Sequence, residues 1–391
     1  MSEQINRRAF FRCSAGFVAA TGCALPLRGQ DPIAENRPKR QIRMSSLAQI
    51  PDSIALATSP DGSGICVDYT KNQIAAILPR STGNTFAYDR LRIIETSSQK
   101  EVASAGVQAW LARASFFSDS HRAYFETVLL APSFRQFKRG VISISGEVQE
   151  STATWVNGGP NITFEALSDE ALLGVESNGN SEATALTLAS WPDYREVARI
   201  PFRPAGGEVR PQSFPRVSAD CKAVLYVSGH TICVRQTSDL SLIWSRKIDS
   251  GLFGAGPISI TPSGTFAAVS VLDYERAQGK DRHYIGVYDG ADGSEVAVLP
   301  VSGKGGMAIS PDGKHVAVAL VSTEDRDTLL VVDIYEVRTG LKVASGVHDR
   351  IPPGRYQRLR AAFDPRGLQF TPDGRYLVTS GNISVKIWAF D

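Results

Sequence analysis

Short apolar runs separated by polar turns make up most of the chain after about the fortieth residue. The runs are rich in Val, Ile, Leu, Ala and aromatic residues, and the turns in Gly, Asp, Asn and Ser. No stretch repeats its apolar positions with the period of an amphipathic helix. Short runs bounded by turn residues are typical of β-strands. The pattern therefore predicts an all-β protein.

One unit recurs along the chain, and its anchor is a turn resembling Ser-Pro-Asp-Gly between two apolar strands. The anchors are Ser59–Gly62, Phe117–Ser120, Leu167–Glu170, Val217–Asp220, Thr261–Gly264, Ser310–Gly313 and Thr371–Gly374. Pro presets the first turn torsion, Asp bonds back to the backbone, and Gly accepts a left-handed conformation. A repeat of about 50 residues with four short strands indicates the blades of a β-propeller.

The sixth and seventh units show what each blade should contain. In the sixth, strands are expected over 307–309, 315–320, 329–335 and 341–346. The seventh offers only three strands, at 368–371, 376–380 and 384–390, before the chain stops. An open sheet edge is prone to aggregation, and a ring can close it with a strand from the other end of the chain. The run Gln41–Leu47 lies where such a strand is expected.

These observations predict a seven-bladed β-propeller of four-stranded antiparallel blades over residues 41–391, closed by an N-terminal strand. Residues 30–40 are polar, contain Pro32 and Pro38, and are interpreted as a linker. Residues 1–29 are interpreted as a signal peptide. The segments Phe370–Val378 and Val385–Trp388 resemble WD40 and YVTN-type propeller repeats. The repeats depart from the WD40 pattern in two ways: no Gly-His pair opens them, and Ala389 follows Trp388 where Asp is usual.

The first residues of the chain carry a basic segment followed by a short, weakly apolar one. Arg7, Arg8, Phe10 and Phe11 resemble the bacterial twin-arginine export motif. The apolar segment is too short and too polar to span a bilayer comfortably. The resemblance implies export of the folded protein, so the expected location is periplasmic or otherwise extracytoplasmic.

Two processing events at residues 20–23 are both consistent with the sequence. Ala20, Thr21 and Gly22 are the small residues that a signal peptidase accepts, and they also precede Cys23 as in a weak lipobox. Lipidation of Cys23 would tether the protein to a membrane, and a single acyl chain would hold it reversibly. We expect membrane association only in that case.

The three cysteines beyond the signal region are not expected to form a disulfide framework, because their number is odd. Cys221 and Cys233 fall in one expected hairpin that places Val227 opposite Ile232, a register that does not place the two cysteines face to face. We interpret both as small buried apolar residues.

The sequence offers no residue set that we assign to catalysis, a cofactor or a metal. The five histidines show no metal-ligand spacing, and the nucleophile-elbow, P-loop and zinc-helix motifs do not occur. The carboxylates at 273, 275, 324, 325 and 327 are interpreted as solvated loop charges. The net charge of +2, part of it in the signal region, argues against a nucleic-acid partner.

Each blade has a turn resembling Ser-Pro-Asp-Gly between its first and second strands and another turn, such as Arg338-Thr339-Gly340, between its third and fourth strands. These two turns should lie on one face of the ring. The loops between the second and third strands and between successive blades should then lie on the other face. Several of those loops combine arginine with aromatic residues, as binding surfaces often do. The expected loops cover residues 131–140, 201–216 and 348–367. The candidate partner or ligand residues are Phe134, Arg135, Phe137, Lys138, Arg139, Arg210, Arg350, Arg355, Tyr356, Arg358 and Arg360.

We therefore expect a non-enzymatic exported scaffold, monomeric, that binds a protein or a small anionic ligand. The alternative is a propeller enzyme of the lactonase or quinoprotein-dehydrogenase kind, with its site in the central channel. An enzyme should bring His, Glu or Arg side chains together at the channel mouth. A scaffold should line the channel with small apolar residues or water.

Overall fold

In the computed structural model, the regular elements among the described residues are all β-strands. The structure describes residues 44–51, 53–58, 64–71, 87–109, 111–131, 134–151, 161–168, 170–177, 183–202, 215–228, 231–248, 252–253, 257–273, 282–301, 306–324, 327–351, 368–380 and 384–390. Residues 40–391 cluster as one compact unit. In the described ranges, no helix has the length and apolarity needed to cross a bilayer.

The strands in the first half of the chain are numbered in chain order. The first is β1 (Met44–Pro51). Sheet 1 holds β2 (Ser53–Thr58), β3 (Gly64–Lys71), β4 (Ala87–Glu95) and β5 (Glu101–Ala109). Sheet 2 holds β6 (Leu111–Phe116), β7 (Arg122–Ala131), β8 (Phe134–Ser143) and β9 (Val148–Glu150). Sheet 3 holds β10 (Asn161–Ser168), β11 (Ala171–Ser177), β12 (Ala183–Ser190) and β13 (Glu196–Pro201).

The second half of the chain supplies the remaining sheets. Sheet 4 holds β14 (Arg216–Val217), β15 (Ala223–Ser228), β16 (Thr231–Gln236) and β17 (Leu242–Lys247). Sheet 5 holds β18 (Leu252–Phe253), β19 (Ile258–Ile260), β20 (Phe266–Asp273), β21 (Arg282–Asp289) and β22 (Glu295–Leu299). Sheet 6 holds β23 (Met307–Ile309), β24 (His315–Glu324), β25 (Asp327–Glu336) and β26 (Lys342–Ile351). Sheet 7 holds β27 (Leu368–Phe370), β28 (Tyr376–Ser380), β29 (Ser384–Phe390) and β1.

Within each sheet the strands pair antiparallel, in chain order from an inner strand outward. Sheet 7 takes its outer strand from the other end of the chain: β1 pairs with β29 from Met44 opposite Phe390 to Pro51 opposite Ser384. Sheet 5 has a small irregularity, because β18 and β19 both pair with β20. The strands expected for the sixth and seventh units are present and begin where expected to within about two residues, but β24 and β26 continue to Glu324 and Ile351, beyond their expected ends.

The core of the molecule lies between the sheets. Seven clusters of buried apolar side chains each join two sheets, and six of them join sheets that are neighbours in chain order. One of them packs Ile94 of sheet 1 against Val378, Val385 and Ile387 of sheet 7. The inner strand β27 also contacts β2. Sheets that pack face to face and are joined at their inner strands are the blades of a β-propeller.

The repeated turn between the first and second strands has the hydrogen bonds that its sequence predicts. In sheet 6, Ser310 Oγ donates to Asp312 Oδ1 at 2.6 Å, and the amide of Gly313 donates to the Ser310 carbonyl at 2.9 Å. Gly313 has a φ of 69°, and a Cβ there would collide with the ring of Phe266 in sheet 5. Glycine is therefore required both by the backbone conformation and by the packing of the previous blade.

Candidate functional site

The turns between strands of sheets 3, 4 and 5 form a groove on one face of the molecule, which we call the turn-face groove. It has a volume of about 790 Å³. Its walls are residues 220–223 and 236–238 of sheet 4, 263–265 and 290–291 of sheet 5, and Ser168 with Ala171 of sheet 3. Both kinds of turn contribute in sheets 4 and 5, so in these two sheets they share a face as expected.

The groove exists because two blades lack the bulky side chain that their neighbours carry. The second strand begins at Phe266 in sheet 5, at His315 in sheet 6 and at Tyr376 in sheet 7, whereas in sheet 4 it begins at Ala223. Phe266 covers the turn glycine of the next blade, but only the methyl group of Ala223 approaches Gly264. Because position 223 has alanine and not an aromatic residue, the space next to Gly264 stays open and forms part of the groove.

Sheet 3 widens the groove because its first turn is shorter than the others. Ser168 pairs directly with Ala171, so only two residues connect β10 and β11. In sheet 4, by comparison, Ser218 and Ala223 bond across a turn of four intervening residues. The short turn and the small Ala171 together lower this wall.

The floor and walls combine apolar side chains with uncharged polar ones. Leu167 and Leu188 are buried beneath the groove, and Ile243 is 37% exposed beside it. On the sheet 5 side, Ser263 Oγ and Thr265 Oγ1 lie 3.0 Å apart within hydrogen-bond distance. The groove therefore offers apolar contact area and neutral hydrogen-bonding groups side by side.

The cysteine at position 221 lines the groove. Cys221 occupies the glycine position of its turn with a φ of 57° and is partly exposed. Cys233 is buried, and burial raises the pKa of its thiol. The expected register is confirmed, with Val227 opposite Ile232 and Cys233 opposite Tyr226, and neither Cys221 nor Cys233 takes part in a disulfide. The expectation of burial is correct for Cys233 and wrong for Cys221.

The arginine and aromatic residues selected from the sequence are not gathered into one described surface. The expected loop 131–140 is wrong: Phe134, Arg135, Phe137 and Lys138 lie on β8, which pairs with β7 over its whole length. Only residues 132 and 133 connect those two strands. The expected loop from 348 is likewise shorter, because β26 continues to Ile351.

Arg350 lies on β26 and is exposed. The other candidates named from the sequence lie outside the described residues. They are Arg210, Arg355, Tyr356, Arg358 and Arg360 of the partner face, and Arg7, Arg8, Phe10, Phe11 and Cys23 of the signal region.

Arg139 is an interior residue and not part of a surface loop. Its side chain is 3% exposed and pairs with Glu126, with Nε donating to Oε2 at 2.8 Å. A second guanidinium nitrogen donates to the carbonyl of Ile162 in sheet 3, also at 2.8 Å. The guanidinium lies over the rings of Phe164 and Tyr194. Arg139 therefore joins sheets 2 and 3.

A second polar cluster joins sheets 6 and 7. His348 is buried, with Nε2 at 3.1 Å from the Thr379 carbonyl oxygen and Nδ1 at 3.2 Å from Oδ2 of Asp349. Ser384 donates its hydroxyl to Asp349 and not to His348. A serine activated by histidine would need the opposite arrangement. In the part of the chain that the structure describes, no three His, Cys, Asp or Glu side chains are grouped as metal ligands.

Comparison with known proteins supports the fold but does not assign the chain to a family or a function. The chain is similar to a solved structure from Kuenenia stuttgartiensis, hydrazine synthase, at 16% sequence identity and a TM-score of 0.52, over 86% of this chain and 95% of that one. No family model matches the chain, and no curated protein matches it. At this identity the similarity shows the architecture alone, so the chain is a β-propeller protein.

The turn-face groove was not predicted from the sequence, although the sequence contains a signal for it. Aligning the seven anchor turns would have shown Ala223 at the position of Phe266, His315 and Tyr376. A small residue at one position of the repeat indicates a groove only when it is known which turn of the next blade it faces.

Proposed function

We propose that the protein is an exported, WD40-like β-propeller of seven blades that acts as a protein-binding scaffold. The seven interblade clusters and the pairing of β1 with β29 support a ring closed by the N-terminal strand. The paired Arg7 and Arg8 support export by the twin-arginine route. A ring in which each blade packs on two others is a rigid support for a binding surface.

The turn-face groove is the observation that carries the proposal. Its walls come from three blades that pack on one another through buried clusters, so its shape is set before a partner binds. Preformed sites lose less conformational entropy on binding than flexible ones do. A mixed lining of aliphatic and neutral polar groups suits a protein surface better than it suits nucleic acid, which requires a basic surface.

Site-specific photo-crosslinking tests this function in cells that make the protein. A photoreactive phenylalanine analogue replaces Ser238, which lies on the groove rim, or Val102, an exposed residue of the outer strand of sheet 1. We expect a discrete crosslinked product from position 238 and none from position 102.

The matched variant is Ala223→Phe, which fills the groove as Phe266 fills the equivalent space in the next blade. The product from position 238 should disappear in this variant while its melting temperature stays within a few degrees of the wild type. Equal crosslinking in the wild type and the Ala223→Phe background would rule out the groove as the binding site.

A further inference from the structure

We propose that the turn-face groove binds an extended, uncharged segment of a partner polypeptide. This inference rests on the proposed function and adds the chemistry of the segment that is bound. Three features of the lining support it: its charges, the distribution of its hydrogen-bonding groups, and its apolar end.

The charges of the groove neutralise each other. Asp220 and Lys222 are the charged residues that line it, and Lys222 Nζ lies 3.9 Å from Asp220 Oδ2. Asp220 also accepts hydrogen bonds from the Ser218 hydroxyl at 2.6 Å and from the Lys222 amide at 3.1 Å. The carboxylate is thus occupied within its own turn. The Lys222 ammonium is largely exposed and balances this carboxylate, so the groove has no net charge with which to select a charged ligand.

The neutral polar groups are spread along the groove and not gathered at one point. Ser168 belongs to sheet 3, Gln236 and Ser238 to sheet 4, and Ser263 and Thr265 to sheet 5, and all five are exposed. A compact ligand would reach only one of these sets. An extended backbone carries a donor and an acceptor at every residue, so it can bond to sets on three successive blades.

The apolar end of the groove is on sheet 4. Ile243 lines it, and the neighbouring Leu242 is 49% exposed. The pairing of β17 with β16 is irregular here. Trp244 pairs with Val234 and Leu242 with Arg235, so Ile243 between them has no partner residue on β16 and forms a β-bulge. A bulge of this kind discourages a further strand from adding to the edge. The segment should therefore lie across the turns and place an apolar side chain against Ile243.

Selection from a phage-displayed library of random heptapeptides tests the inference with the full chain immobilised. We expect the wild type to enrich clones that lack Asp, Glu, Lys and Arg and contain an aliphatic or aromatic residue. A synthetic peptide from the selection should bind Ala223→Phe at least about tenfold more weakly. Ser238→Arg is a second variant on the exposed rim, and it should weaken binding without touching the core.

Three results would overturn the inference. They are enrichment of charged peptides, equal enrichment on wild type and Ala223→Phe, and no enrichment at all. Light scattering adds a fourth: a dimeric wild type with a monomeric Ala223→Phe variant would assign the groove to a second copy of the chain. If crosslinking through Ser238 succeeds while the selection fails, the scaffold function stands and only the uncharged peptide is excluded.

Discussion

At the scale of single residues, the buried polar groups join neighbouring blades. Arg139 belongs to sheet 2 but bonds to the backbone of sheet 3, and Trp244 of sheet 4 donates its indole N–H to Gly290 of sheet 5 at 2.8 Å. His348 and Thr379 connect sheets 6 and 7 in the same way. Apolar contacts depend little on direction, whereas each of these hydrogen bonds requires one alignment of the two sheets.

Removing Arg139 should destabilise the protein strongly. In Arg139→Met, Glu126 would keep a charge at 1% exposure without its guanidinium partner, so we expect a loss of about 3–5 kcal/mol. Chemical denaturation measures it. The control is Lys314→Met, which breaks an exposed pair with Asp312 and should cost less than about 1 kcal/mol. Similar losses in the two variants would mean that Arg139 does not join the blades.

His315 should make the protein less stable in acid. Burial lowers the pKa of its imidazole below the ordinary value of 6.5. The folded state therefore favours the neutral ring, and the stability this contributes is present above pH 6.5 and lost as the pH falls through the lowered pKa. The variant His315→Phe copies Phe266 and should melt with less dependence on pH between 7.5 and 5. His121→Phe, at an exposed turn position, should behave like the wild type.

At the scale of elements, the strands follow from local sequence but their lengths do not. The turn Ser310–Gly313 and the strand starts at Met307 and His315 were predictable, because turn chemistry and apolar runs are local signals. The hairpin of β24 and β25 runs farther than expected, to a two-residue connection, and so does that of β7 and β8. Polar residues such as Arg135 were interpreted as loop because polar strand ends resemble loops in sequence.

The strand β1 should matter for the stability of sheet 7. Ala48 is partly buried and packs on the cluster of Ile94, Val378 and Ile387, so Ala48→Asp should cost at least about 2 kcal/mol. The adjacent Leu47 is 48% exposed, and Leu47→Asp should leave the melting temperature almost unchanged. Equal effects of the two substitutions would contradict the packing of β1 against this cluster.

At the scale of the whole molecule, the proposed export would decide which partners the proposed scaffold can meet. Replacing Arg7 and Arg8 together by Lys should leave the protein in the cytoplasm, because the paired arginines are the feature that the twin-arginine machinery recognises. Cell fractionation measures the location. Export of the double-lysine variant at the wild-type level would exclude this route.

Mass spectrometry of the exported wild type would then distinguish the two processing events. A plain N-terminus near residue 23 indicates cleavage by signal peptidase, and an acylated Cys23 indicates a lipoprotein. Only the second outcome would tether the groove to a membrane.

The sequence alone determined that the chain is built from repeated antiparallel sheets, because strand periodicity and turn chemistry are carried by neighbouring residues. It also determined the register of the hairpin that contains Cys233. Only the tertiary structure decided which side chains meet between blades. Arg139 is an interior residue because the Glu126 carboxylate neutralises its charge and the Ile162 carbonyl accepts one of its hydrogen bonds. The groove opened because Ala223 lies where a neighbouring blade has Phe266, and contacts between residues far apart in the chain are not encoded in any single turn.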